Sequence, residues 1–216
     1  MNTAAFASSA FAAGSASPAL AAGLELDALA TLVRGYTVEI GSRSGAALGS
    51  GVVWQSDGLV VTNAHVVRDP RPLVTLGNGT VAEGRVLATD KRRDLALIAV
   101  DAGELPVAPI GDADALRAGS LVLALGHPLG VTNALSLGVV HAVTTVRGMP
   151  RYIAADVRLA PGNSGGPLVD SAGRVVGINA MIVGGLGVAI PSTVVRRFLH
   201  EVARSGAVSF SSPLAA

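Results

Sequence analysis

The sequence predicts an all-β fold of two β units, with one helix before them and another closing the chain. Three observations carry that prediction. Short runs rich in Val, Ile, Leu and Thr follow one another, bounded by Gly, Pro, Asp and Asn, which is the rhythm of a sandwich or barrel system. Apolar residues at helical spacing occur only at the two ends. Half of the 216 residues are hydrophobic and 14% are charged, which is enough apolar material for a sizeable buried core.

Taken in order, residues 1–23 read as a flexible arm rich in Ala and Ser and carrying Phe6 and Phe11. A secretory signal would place Lys or Arg near the start and a firmer apolar run after it; the ALAA that ends this stretch nonetheless resembles a cleavage site. LELDALATLVRG follows, with Leu24, Leu29, Leu32 and Val33 spaced for one helical face. The main body, residues 24–206, then runs through TVEI, GVVW, LVVT, LVTL, RVLATD, LALIAV, LVLALG, SLGVVHAVTT, YIAADV, PLVD, RVVGINAMIV and GVAI, with the division between the two β units near residue 118. In PSTVVRRFLHEVARSG the helical period returns: Ser192 is placed to cap the start, Val195, Phe198, Leu199 and Val202 form one apolar face, and Gly206 ends it. Residues 207–216 form a short tail. No segment reaches the roughly 18 uninterrupted apolar residues of a membrane span.

Charge and cysteine content exclude several functions. A formal net charge of +1 with scattered Lys and Arg offers no basic face for nucleic acid and no polybasic stretch for an anionic membrane. The chain has no cysteine, so it carries no disulfide framework, thiolate metal site or cysteine nucleophile. No metal and no cofactor are expected.

Three stretches carry chemistry. GVVWQSDGLVVTNAHVV reads as a hairpin turning at Ser56, Asp57 and Gly58, which delivers His65 just past its second strand. Alone, His65 would pass for an ordinary core or surface histidine; its place at a strand end among small residues favours a site. In DKRRDLALIAV, Asp94 is the last charge before an apolar strand, and on composition Asp90 is its equal. PGNSGGP, residues 161–167, is the specific one. A glycine-rich surface turn would explain its Gly and Pro but not the placement of Ser164. Acyl transfer needs a hydroxyl beside a base and backbone N–H groups aimed at the developing oxyanion. The N–H groups of Gly162 and Ser164 could supply these.

With TNAHVV, DLALIAV and GNSGGP in the order His, Asp, Ser, the chain resembles the chymotrypsin-fold serine proteases. GSGVVWQSDGLVVTNAHVV, GHPLG, APGNSGGPLVDSAGRVVGIN and GVAIPS are similar to blocks of the bacterial HtrA (Deg) branch, over roughly residues 25–205. The resemblance implies two six-stranded antiparallel barrels with a catalytic cleft between them. It assigns His65 as general base, Asp94 in preference to Asp90 as its orienter, Ser164 as nucleophile, and Gly162, Asn163 and Ser164 as the oxyanion hole. It also implies polypeptide substrates and a homotrimer assembled through Phe6 and Phe11 of the arm. Family members usually carry a PDZ domain after the protease; here the tail AVSFSSPLAA follows the last helix, so a protease domain without it is expected. A targeting peptide is the rival reading of the arm. The compartment stays open between the cell envelope or periplasm, which the resemblance implies, and the cytoplasm, which the poor match to a signal peptide implies.

Departures from the family pattern set further expectations. Asn163 is neutral, so it cannot pair with a freed N-terminus, and activation by trimming is not expected. GHPLG has His127 where Asn is usual, a structural residue in a turn. The pocket before the scissile bond is expected from Leu159, Ala160, Ile182 and Val183, which favours small or medium aliphatic residues. Arg158, turned inward, would favour acidic ones instead. Two functions follow: a serine endopeptidase acting on unfolded or exposed polypeptide, or a weakly active peptide-binding, chaperone-like module on the same fold.

Overall fold

The computed structural model describes residues 18–42, 47–127, 134–145 and 151–206. The first six strands are β1 (Thr37–Gly41), β2 (Ala47–Gln55), β3 (Leu59–Thr62), β4 (Leu73–Thr75), β5 (Val81–Asp90) and β6 (Leu95–Val100). They close into an antiparallel barrel in the order β1-β2-β3-β6-β5-β4. The next six are β7 (Leu121–Gly126), β8 (Ala134–Thr144), β9 (Tyr152–Ala155), β10 (Pro167–Asp170), β11 (Val175–Val183) and β12 (Leu186–Pro191), and they close a second barrel in the order β10-β11-β12-β9-β8-β7. All twelve strand-like runs fall on these strands.

The burial of each strand explains its sequence. β3 is buried throughout and β6 nearly so, which is why LVVT and LALIAV read as continuous apolar runs rather than as alternating ones. On β7 the two faces are divided. Val122 and Ala124 pack in the second barrel's interior, while Leu123 and Leu125 join the larger core that includes Ile40, Val60, Leu97 and Ile98 of the first barrel. That shared layer fixes one barrel against the other, each fully buried Leu contributing about 2 kcal/mol.

The helices brace this pair. α1 (Pro18–Gly35) starts ahead of the expected Leu24. Of the expected face, Val33 is fully buried and Leu29 packs half-buried against the core, with Ala30 beside them, whereas Leu32 is half exposed. Just after α1, the buried Tyr36 hydroxyl donates to the Gly173 carbonyl at 2.6 Å, in the turn between β10 and β11. Burial, with the Asp170 carboxylate second, holds this phenol well above the ordinary tyrosine range.

α2 (Ser192–Arg204) buries the expected Val195, Phe198, Leu199 and Val202. Its start differs from expectation. Pro191 is the cap position, and Ser192 is already helical, its buried hydroxyl donating to the Gly111 carbonyl at 2.8 Å. A long-range bond in the core thus takes the hydroxyl that local sequence assigns to the helix end. Among the described residues no helix is long and apolar enough to cross a membrane. The start of the arm, with Phe6 and Phe11, and the tail lie outside the described residues.

Candidate active site

The turn between β5 and β6 and the turn after β3 meet at the rim of the first barrel. Asp90 Oδ1 accepts the Arg92 and Arg93 N–H groups at 2.9 and 3.0 Å, winding the chain so that Asp94 adopts a φ of 55°. Among the described residues no other non-glycine has a positive φ, a strained conformation that persists only where its surroundings over-determine it. The determinants are visible. Asp94 Oδ2 stands 2.7 Å from His65 Nδ1, its Oδ1 accepts the His65 N–H at 3.0 Å, and its carbonyl accepts from Asn63 Nδ2 at 2.9 Å. A carboxylate only accepts, so Nδ1 carries a proton, and in the neutral imidazole this tautomer leaves the lone pair on Nε2. The His65 side chain is 50% exposed, open to an incoming group, and Asp94 is 24% exposed beneath it. The two acids that composition leaves equal are therefore separated by role: Asp94 engages His65, and Asp90 builds the turn.

Ser164 arrives from the second barrel, in the loop between β9 and β10. The Asn163 N–H donates to the Ala160 carbonyl at 2.9 Å, closing a tight turn whose third residue, Gly162, has φ 107°, an angle glycine adopts without penalty. Gly165 has φ 85°, and a Cβ there would overlap the Ser50 carbonyl oxygen and Thr62 Oγ1. No side chain fits at this position. Asn179 of β11 holds the far side, accepting the Gly165 N–H and donating its own N–H to the Gly166 carbonyl, both at 2.8 Å. Among the described residues the N–H groups of Gly162 and Ser164 carry no bond, whereas that of Asn163 is consumed by the turn. Of the three expected oxyanion residues, Asn163 therefore serves as the hinge of the loop and not as a donor.

Ser164 Oγ donates to the Ala180 carbonyl at 3.1 Å rather than to His65. The Ser164 backbone does come close to the residue that follows His65. A Cβ on Gly49 would fall 2.8 Å from the Ser164 carbonyl oxygen and 2.6 Å from Val66, the residue after His65.

One residue of the site escaped the sequence reading. Ser50, on β2, donates its N–H to the Ser164 carbonyl at 2.8 Å and its hydroxyl to the Gly162 carbonyl at 2.7 Å, while its own carbonyl accepts from Thr62 Oγ1 at 2.6 Å. It thereby fastens the Ser164 loop of one barrel to the wall of the other. The GSG around it was the available signal, small residues where two backbones approach. The buried His127 joins this group, its N–H 3.1 Å from Ser50 Oγ and its Nδ1 3.3 Å from the same atom. Burial pushes the His127 imidazole below the ordinary histidine value, with the Glu39 carboxylate acting the other way.

The expected pocket residues are only partly gathered. Leu159 stands beside Gly187, where a Cβ would meet it at 3.1 Å, and Ile182 lies opposite Gly187 in the β11–β12 ladder. Ala160 is half-buried. Ile182 and Val183 are 54% and 52% exposed, at the open end of β11. Arg158 is exposed, its N–H donating to Ser136 Oγ at 2.7 Å.

A family model described as the trypsin-like peptidase domain matches residues 49–178. HhoB of Synechocystis sp. is 43% identical over 154 residues, covering 66% of this chain and 37% of that protein. A "Probable periplasmic serine endoprotease DegP-like" of Pseudomonas fulva is 38% identical over 179 residues, covering 77% and 37%. Among solved structures, an HtrA-type protease AlgW with tripeptide superposes with a TM-score of 0.76 at 29% identity, over 82% of this chain and 64% of that one. The same protease with decapeptide gives 0.74 at 26% identity, over 82% and 67%. The chain spans 37% of the length of these two curated relatives.

Proposed function

Because the chain belongs to the trypsin-like peptidase family, in its HtrA-like branch, we propose that it is a serine endopeptidase that cleaves unfolded or exposed polypeptide through an acyl-enzyme. The observation that carries this reading is the 2.7 Å bond between Asp94 Oδ2 and His65 Nδ1, together with a Ser164 loop in which, among the described residues, the Gly162 and Ser164 N–H groups carry no bond.

In this reading His65 Nε2 takes the Ser164 proton as Oγ attacks the scissile carbonyl carbon. Asp94 keeps the imidazole in the required tautomer and stabilises the imidazolium. The N–H groups of Gly162 and Ser164 hold the carbonyl oxygen as it becomes negative, an interaction whose loss costs about a hundredfold to a thousandfold in turnover in enzymes of this chemistry. The imidazolium then protonates the leaving amine, and water, deprotonated by His65, releases the acyl group from Ser164. In the resting arrangement the Ser164 hydroxyl bonds to the Ala180 carbonyl, so a rotation about its Cα–Cβ bond precedes attack. Catalytic hydrogen bonds often form only with substrate in place.

An extended substrate segment suits the β11 edge at residues 181–183, where the described pairing is to β12 alone. Its residue before the scissile bond would face Leu159, Ala160, Ile182 and Val183. Asp156, the nearest acid along the chain, is exposed with its N–H on the Val139 carbonyl, so nothing favours Lys or Arg there. Val, Ala, Thr and Leu are the expected residues, with broad selectivity, because one methylene of mismatch is worth about 1 to 3 kcal/mol.

Homotrimer formation through Phe6 and Phe11 is part of the proposal. Light scattering on the intact chain should give a trimer and on a chain lacking residues 1–20 a monomer; monomers from both would end it. The weakly active, peptide-binding alternative is favoured by one observation, the Ser164 hydroxyl turned away from His65. Casein separates the readings: the endopeptidase cuts it mainly after aliphatic residues and Ser164→Ala does not. A peptide-binding module leaves it whole, and a majority of cuts after Lys or Arg would refute the pocket.

A further inference from the structure

Arg93 immediately precedes Asp94, and its side chain is only 14% exposed although it stands on a surface turn. Its guanidinium faces α2. Nη1 donates to Glu201 Oε2 at 2.6 Å and Nη2 to Glu201 Oε1 at 2.9 Å, the two-pronged arrangement in which a guanidinium binds a carboxylate most strongly and with fixed orientation. Nε lies 3.4 Å from Asp90 Oδ2, whose partner oxygen holds the Arg92 and Arg93 amides. The turn that carries Asp94 is thus held from inside by Asp90 and from outside by the last turns of α2. The ionisation of both partners agrees with a formed bond: it raises Arg93 above its ordinary value and lowers Glu201 below the ordinary carboxylate value.

The clamp joins the two barrels. α2 packs on β11 and β12 of the second barrel, whereas Asp94 opens β6 of the first, and the bonded residues are 108 apart in sequence. A lone surface ion pair contributes little to stability, but this one fixes the peptide unit next to a residue held at φ 55°. Orientation is what it can supply. We propose that Arg93 and Glu201 form a positioning pair for Asp94, through which α2 sets the orientation of the carboxylate that holds His65. The proposal rests on the triad reading above and adds to it a dependence of the site on the closing helix.

Glu201→Gln tests it without touching the Asp94 turn, because Glu201 is exposed on α2 and its loss does not disturb the buried face. Arg93→Gln is the second variant. With a peptide substrate, each should lower kcat by about tenfold, the scale of a small displacement of a catalytic group, and leave KM within roughly twofold. The double variant should be no worse than the poorer single one, since the two residues act as a unit. Proton NMR reads the same geometry without turnover. The low-field Nδ1 proton shared by His65 and Asp94 should appear in the unmodified protein, vanish in Asp94→Asn, and shift or broaden in Glu201→Gln. A protein with that signal but no serine reactivity would overturn the triad reading alone. Unchanged kcat and an unchanged proton signal in Glu201→Gln would overturn the positioning pair, even if thermal stability fell.

Discussion

Replacing Ser164 with Ala should abolish peptide hydrolysis, a loss of about a million-fold where a triad acts as a unit, with the fold intact because among the described residues the hydroxyl bonds only to the Ala180 carbonyl. Asp94→Asn should cost about ten-thousand-fold by favouring the wrong imidazole tautomer. Asp90→Asn should cost little, since an amide oxygen can still accept the Arg92 and Arg93 N–H groups; steady-state rates of the three variants check the ranking, and equal losses at Asp90 and Asp94 would refute it. His127 carries a separate expectation. Its folded value is depressed by burial, so the unfolded chain binds the proton more readily. The stability it contributes is present above about pH 6.5, the ordinary histidine value, and is lost as pH falls below it. Thermal unfolding at pH 7.5 and pH 5 should show a larger drop for the natural chain than for His127→Gln. At this scale the sequence was informative where a motif names a residue type and silent where a role depends on distant contact. Asp94 and Asp90 are alike in composition and are told apart by which one reaches His65. Ser50 lies 114 positions before Ser164, and nothing local records that its N–H will meet that carbonyl.

Among the elements, the strands were legible because each is a short apolar run between turn residues, and a closed barrel keeps that period from end to end. The helices were legible in their middles and not at their starts. Val195, Phe198, Leu199 and Val202 follow from spacing, but Ser192 binds Gly111 across the core, a competition between local capping and tertiary bonding that periodicity does not register. Tyr36, at the end of α1, ties that helix to the β10–β11 turn. Tyr36→Phe should lower stability by about 1 kcal/mol, the net worth of a buried hydrogen bond. Since the folded phenol is raised above its unfolded value, its contribution is complete below about pH 10 and is lost as pH rises beyond that. Chemical denaturation at pH 8 and pH 10.5 should therefore give a difference between the natural chain and Tyr36→Phe that shrinks at the higher pH.

For the whole molecule, the site exists only because two separately closed barrels face each other. His65 and Asp94 come from one, Ser164 and the two amides that are unbonded among the described residues come from the other, and Ser50 fastens them together. That arrangement was readable as three ordered motifs, while the shared layer of Leu123, Leu125 and the first barrel's core that holds the cleft was not, because alternation along β7 does not say what covers its outer face. The central claim is that this junction makes Ser164 a nucleophile through His65. A serine-reactive fluorophosphonate probe, followed by mass-spectrometric mapping of the modified residue, tests it most directly. The natural chain should carry the label on Ser164, His65→Ala should label at least a hundredfold more slowly, the scale of a lost general base, and urea-unfolded protein should not label. Labelling that spares Ser164, or that proceeds equally fast without His65, would contradict the account.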